Sequence, residues 1–223
     1  MINSKISVIM SVYNCEKTVK KAIDSIINQD YENFDLLVID DASTDNTLKI
    51  CKEFKIYPNF YLFKNNKNIG LTKSLNKLIE FSEGEYIARQ DADDVSIPGR
   101  LSYQIKFMKE NNYDVSFTRA INIQTNKLIP KLKNYLPYKA VAKYRNPFIH
   151  GTMMIKRNLM IKSGKYDENY YYSQDYKLII DLIKARVKIG KINKPFYLLN
   201  TKNNISEKFS KDQEFFAQKA RSK

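Results

Sequence analysis

Nearly unbroken apolar runs alternate along this chain with stretches whose apolar residues recur every three or four positions, and that alternation restricts the fold more than any other feature. Lys5 to Val12 is almost continuously apolar, as expected for a strand covered on both faces of a parallel sheet. Val19, Ala22, Ile23, Ile26 and Ile27 follow at helical spacing with Lys20, Lys21 and Asp24 opposite, so residues 15–29 are predicted to form an amphipathic helix. Phe34 to Ile39 is the next buried strand, and in the turn after it Ser43 or Thr44 is expected to cap a helix carrying Leu48, Ile50, Cys51 and Phe54. A third short strand, Asn59 to Phe63, leads to a polar turn ending in Gly70, which is free to take a positive φ. Leu71, Leu75, Leu78 and Ile79 mark a helix, Glu85 to Gln90 a strand, Pro98 to Met108 a helix and Val115 to Thr118 a strand. The pattern predicts an α/β fold with a mainly parallel, Rossmann-like sheet and helices on both faces. In such sheets ligands bind beyond the carboxyl ends of the strands, where Tyr13, Asp41 and Asp93 fall.

Beyond Thr118 the pattern loosens. Gln124 to Tyr138 is basic and proline-bounded, Tyr138 to Asn146 suggests a short helix and Thr152 to Ile155 a strand. Asp175 opens a helix with the stripe Leu178, Ile179, Leu182 and Ile183, and Lys191 to Asn200 gives a last strand. Residues 1–204 are therefore expected to form one domain, and 205–223 a basic helical tail in which Lys208, Lys211, Lys219, Arg221 and Lys223 surround Phe209, Phe215 and Phe216. Such a tail suits either an anionic membrane surface or packing on the domain.

At 223 residues the chain can bury a proper core. Cys15 and Cys51 have neither metal-ligand spacing nor a disulfide framework, and no apolar run reaches the length of a membrane span, so a reduced, cytoplasmic protein is expected, soluble or peripheral at the membrane. Thirty-eight basic against twenty-four acidic residues give a net charge of +14, which favours anionic partners without choosing among nucleic acid, lipid headgroups and phosphorylated small molecules.

Against that basic background, Gly84 to Asp94 (GEYIARQDADD) runs from a strand into three carboxylates within four residues. With the backbone still extended, Asp91 and Asp93 would leave on one side and Asp94 on the other. Two like charges side by side invite a divalent cation with hard oxygen ligands, and through it a diphosphate. A solvated acidic turn before the helix-start signal Ile97-Pro98 is the competing reading.

The segments ISVIMSVYN (Ile6–Asn14), VIDDASTDNT (Val38–Thr47), NIGL (Asn68–Leu71) and GEYIARQDADDVSIPGRL (Gly84–Leu101) together resemble inverting glycosyltransferase family 2, over about residues 5–200. The resemblance implies a GT-A fold, a nucleoside diphosphate sugar donor, UDP-linked, and Mn2+ or Mg2+ bridging its phosphates. It implies that Ser11, Tyr13, Asp41, Asp91 and Asp93 line the donor site. Tyr13 would stack near the base, Asp41 would hydrogen-bond it, Asp93 would be the principal metal ligand, and Asp91 would lie near the ribose or the metal. The family's catalytic base, an aspartate opening a late helix and usually preceded by Glu, corresponds to Asp175 in Ser173-Gln174-Asp175-Tyr176; the glutamate is replaced by Gln174. An aspartate in a helix's first turn is also favoured by the macrodipole alone. His150 falls where it would touch donor phosphate or acceptor, or simply pack. Processive members add spans and a Gln-x-x-Arg-Trp motif, whereas this sequence has no Trp. Transfer of a single sugar to a cell-surface glycan or a lipid-linked acceptor is expected. The competing functions are a nucleotidyltransferase, which would want a Gly-rich phosphate loop where Ser11-Val12-Tyr13-Asn14 stands, and a nucleic-acid-binding module, which the dispersed basic residues and the acidic cluster disfavour.

Overall fold

The computed structural model describes residues 3–130, 136–202 and 210–222; residues 131–135 of the basic stretch, and Lys208, Phe209 and Lys223 of the tail, lie outside them. In the first half β1 (Ile6–Val12), α1 (Val19–Ile27), β2 (Phe34–Asp40), α2 (Thr47–Glu53), β3 (Phe60–Lys64), α3 (Leu71–Phe81) and β4 (Tyr86–Arg89) alternate as expected. The four strands lie in the order β3-β2-β1-β4, all parallel. With cores on both faces, strand period two explains why these runs are largely apolar. Ile6, Val8, Met10 and Val12 enter one core with Val19, Ala22, Ile23 and Ile26 of α1. Ile9, Leu37, Ile39 and Ile87 enter a second core, on the opposite face, with Leu75, Leu78 and Ile79 of α3.

The second half comprises β5 (Val95–Ser96), α4 (Arg100–Glu110), β6 (Val115–Asn122), β7 (Lys127–Ile129), α5 (Tyr138–Val141), β8 (Met154–Lys156), α6 (Arg157–Lys162), α7 (Gln174–Lys184), β9 (Ile189–Leu199) and α8 (Ser210–Ser222). It extends the sheet to nine strands as β4-β8-β6-β9-β5, with β7 paired to β6. Here the pairing is mixed: β8 is antiparallel to both β4 and β6, while β9 runs parallel to β6 and antiparallel to β5. The expected parallel character thus describes the first half, and β5, β7 and α6 are additions that the sequence pattern does not announce.

Two local expectations are corrected. The first helix begins at Val19 rather than at residue 15, because the preceding backbone is spent on another loop: Cys15 N donates to Thr47 Oγ1 at 2.8 Å and Glu16 N to Asp45 Oδ2 at 3.1 Å. Neither Ser43 nor Thr44 caps α2; Asp45 Oδ1 takes the Thr47 N–H at 2.9 Å instead. Ser43 Oγ accepts from Asn14 N at 3.0 Å and Thr44 N donates to Asn14 Oδ1 at 2.8 Å, so both residues tie the loop after β2 to the loop after β1. Gly70 takes the positive φ expected of it, +88°.

In α8, Phe216, Ala217 and Ala220 pack against Ala142, Tyr170, Tyr176 and Ile180, with Lys219 Nζ 5.2 Å from the Tyr170 ring centre. Part of the tail's apolar face is therefore laid on α7, while Phe215 stays 64% exposed. Among the described residues no helix is long and apolar enough to cross a membrane.

Candidate active site

Because β2, β1 and β4 are adjacent and parallel, their carboxyl ends share one edge of the sheet, and the loops leaving them converge. Ser11, opposite Ile39 near the end of β1, is partly exposed, and the Tyr13 ring just beyond is 47% exposed on a loop pinned by Asn14. Asp41 is buried. Its carboxylate accepts from Asn65 Nδ2 at 2.8 Å, Ile69 N at 2.9 Å and Gly70 N at 2.8 Å, so it first of all organises the turn into α3. Those donors leave about one of the four acceptor positions of an ionised carboxylate for a ligand.

The acidic loop departs from the sequence expectation. Strand pairing stops at Arg89 and the backbone turns at Ala92-Asp93, so alternation no longer decides which carboxylates point together. Asp91 turns back onto Arg89, whose guanidinium bonds its Oδ1. The cation invoked to relieve Asp91 is thus, in part, a buried arginine of the protein itself. Asp94 does not face solvent. It is buried, its Oδ1 accepts from Asn200 N at 2.7 Å, and burial, followed by the charges of Asp91 and Asp93, pushes its carboxyl up to about 8. Asp93 alone of the three receives no hydrogen bond from another residue among those described. Burial, then Asp91, pushes it up to about 6.

A buried scaffold holds this loop. Gln90 Nε2 donates to the carbonyls of Asp91 and Asp94, both at 3.0 Å, and Asp91 N donates to Tyr197 Oη at 3.0 Å. Arg100, wholly buried at the start of α4, donates to Gln104 Oε1, Gln90 Oε1, Ser96 Oγ and the carbonyls of Arg89 and Gly151, at 2.7–3.1 Å. Its guanidinium carbon lies 5.1 Å from the centre of the Tyr197 ring.

Opposing charges and dipoles come from late in the chain. Asp175 stands in the first turn of α7, where its Oδ2 accepts from Asn146 Nδ2 at 2.7 Å. His150 opens a short helical turn, with Nε2 2.6 Å from Tyr166 Oη and the two rings edge to face at 82°. The Asp175 and Asp91 charges both act on His150 and on Tyr166, as does Arg89, so these five residues form one electrostatic group. For His150, burial and then Arg89 outweigh the carboxylates and hold the imidazole below its ordinary pKa. Sequence spacing does not single out Arg89, Arg100, Asn146, Tyr166 or Tyr197. Its one usable signal is the arginine inside the apolar strand Glu85–Gln90, since a buried arginine is rarely left unpaired.

Residues 7–168 match the family model "Glycosyl transferase family 2". The chain belongs to that family. Among curated relatives of this family 2 chain, EpsE of Bacillus subtilis (strain 168) is 38% identical over 160 residues, 68% of this chain and 56% of EpsE. The UDP-Glc:alpha-D-GlcNAc-diphosphoundecaprenol beta-1,3-glucosyltransferase WfgD of Escherichia coli is 30% identical over 211 residues, 92% of this chain and 81% of WfgD. Among solved structures, S. aureus TarS 1-349 in complex with UDP-GlcNAc superposes with a TM-score of 0.78 at 22% identity, over 90% of this chain and 59% of the other, which shows the shared GT-A fold. The chain spans between about half and two thirds of the length of the first curated relatives it matches.

In this family 2 chain the acidic loop and the His150 turn meet at Gly151. A Cβ there would lie 2.6 Å from Asp91 Oδ2 and closer still to Tyr197 Oη. Gly151→Ala is therefore expected to push Asp91 or Tyr197 aside, lowering stability by about 1–3 kcal/mol. Thermal melting checks this, and an unchanged melt would show that the loop yields without cost.

Proposed function

We propose that the chain carries out inverting transfer of a single sugar from a nucleoside diphosphate donor, UDP-linked, to a hydroxyl of a cell-surface glycan or lipid-linked acceptor, with a divalent metal. One observation supports this above the others. At the ligand edge of the sheet Asp93 offers a carboxylate without a protein donor among the described residues, and burial and a neighbouring like charge destabilise its anion. A cation held there would remove that penalty. Asp93, with the Asp91 charge acting on it, would suit an ion that takes its remaining ligands from phosphate oxygens and water, as Mg2+ and Mn2+ do, although among the described residues no group of three or more His, Cys, Asp or Glu could hold a metal by itself. Bound, the ion would act as a Lewis acid on the leaving diphosphate.

The chain's own residues divide the remaining work. Tyr13 offers a partly exposed aromatic face to the base, Ser11 lies beside it, and Asp41 has an acceptor position left for a base N–H. Asp175, fixed by Asn146, takes the acceptor's proton, and His150 contacts an oxygen of the donor diphosphate or of the acceptor. Attack from the face opposite the leaving group inverts the anomeric carbon, through a transition state with oxocarbenium character by analogy with glycoside cleavage. A lipid-linked acceptor is favoured by the relative WfgD, a glucosyltransferase acting on a diphosphoundecaprenol-linked sugar, and the net charge of +14 suits a phosphorylated one.

A thermal-shift screen of UDP-sugars with and without Mn2+ tests the reading. A donor at a hundred times its Kd should stabilise the protein by about 2.7 kcal/mol. Asp93→Ala should weaken metal-dependent donor binding by roughly 10- to 100-fold, read by calorimetry, by analogy with losses on perturbing metal sites. Donor affinity that is equal in Mn2+ and in excess EDTA would remove the metal from the proposal.

A further inference from the structure

Tyr166 has no role in the function proposed so far, yet its buried hydroxyl lies against His150. The tyrosine is buried, and its backbone is held from α3 by Asn76, which accepts from Tyr166 N at 3.0 Å and donates to Tyr166 O at 2.9 Å. Its hydroxyl meets His150 Nε2 at 2.6 Å, and no other partner for that hydroxyl is present among the described residues.

We propose that Tyr166 is a positioning residue that fixes His150 as the Nδ1–H tautomer, making the imidazole a hydrogen-bond donor and nothing else toward a bound ligand oxygen. The argument is a count of protons. If Nε2 carried the proton it would donate into the phenol oxygen, and the buried phenol proton would need a second acceptor that the described residues do not provide. A buried donor left unsatisfied forfeits the hydration it gave up on burial with nothing in return. With the phenol donating, Nε2 accepts and the ring's single proton sits on Nδ1, because the bond made by one ring nitrogen sets the state of the other. Both groups are in the protonation state this requires. Burial raises the Tyr166 hydroxyl well above its ordinary value, and burial and Arg89 keep His150 neutral.

The consequence rests on the function proposed above. An imidazole whose Nε2 lone pair is engaged by Tyr166 and whose Nδ1 already bears a proton has no lone pair to offer the acceptor hydroxyl. His150 then steadies an oxygen of the bound substrate, and proton removal falls to Asp175.

His150 is the only histidine in the chain, so histidine-selective 15N labelling of the full chain reports a single imidazole without assignment. Long-range 1H–15N spectra of the ligand-free protein should show a pyridine-like Nε2 and a pyrrole-like Nδ1. Tyr166→Phe should move the two nitrogens toward the opposite tautomer. A wild-type spectrum with the proton on Nε2, or nitrogen shifts that Tyr166→Phe leaves unchanged, would overturn the proposal. Should Tyr166→Phe fail to fold, the wild-type spectrum still decides it. Because the measurement uses no donor, failure here is distinct from failure of the transferase reading, which the UDP-sugar screen tests separately.

Discussion

Asp175→Asn should lower turnover by roughly 10²- to 10⁴-fold, the usual loss on removing a general base, while leaving donor affinity nearly unchanged. The substitution isolates the proton. Asn146 Nδ2, now 2.7 Å from Asp175 Oδ2, would still find an amide oxygen to bond, so the local geometry is retained. Loss of the negative charge from the first turn of α7 should cost only about 0.3–1 kcal/mol of helix-dipole interaction. Steady-state transfer assays, UDP-sugar titration and thermal melting of the same preparation separate the two roles available to this aspartate. Near-wild-type transfer would refute the base assignment, and a large loss of stability with normal specific activity would identify Asp175 as a helix-end stabiliser.

The largest expected effect on stability is at Arg100, which is wholly buried beneath the acidic loop. Arg100→Met should destabilise the fold by about 3–5 kcal/mol, because methionine fills the space but leaves a set of buried oxygens without donors. Those oxygens include Gln90 Oε1 and the carbonyls of Arg89 and Gly151, which hold both sides of the acidic loop. Burial lowers the guanidinium to about 10, which still leaves it charged at neutral pH, held by neutral acceptors and the Tyr197 ring. Arg100→Lys should fare little better, since an ammonium cannot reproduce a planar fork that reaches five acceptors. For a chain of this size the methionine variant should melt about 6–20 °C lower. A loss under about 1 kcal/mol would mean that the network relaxes around the vacancy rather than depending on its centre.

The first half of the fold was legible because its determinants are local and periodic. β1 and β2 are mostly apolar at their buried positions, with Ser7 and Asp40 the exceptions, and α1 and α3 carry stripes at three-and-four spacing, so strand and helix follow from neighbours in the chain. The second half was less so, since a two-residue strand such as β5 has no period to read and exists only because Val95 and Ser96 meet Leu198 and Tyr197. The same division runs through the site. The position of the acidic cluster at a strand end was readable, but the directions of its carboxylates were not, because the loop turns Asp91 back onto Arg89, two residues before it, and Asn200, 106 residues on, takes Asp94. Tyr166 and Tyr197 are two of sixteen tyrosines, and nothing in their spacing marks them; only the partners they meet, His150 Nε2 and Asp91 N, do so.

Those tertiary clasps also impose an order on biosynthesis. A ribosome adding about 5–20 residues per second needs about 5–20 s to lay down the 106 positions between Asp94 and Asn200. Through that interval β1 to β4 can already pair, but the acidic loop lacks the Asn200 amide and the Tyr197 hydroxyl that close it. The acidic loop is therefore expected to reach its final arrangement only as the last strand emerges and docks. A nascent chain still short of that strand would hold half a sheet without drawing on the cell's nucleotide-sugar pool.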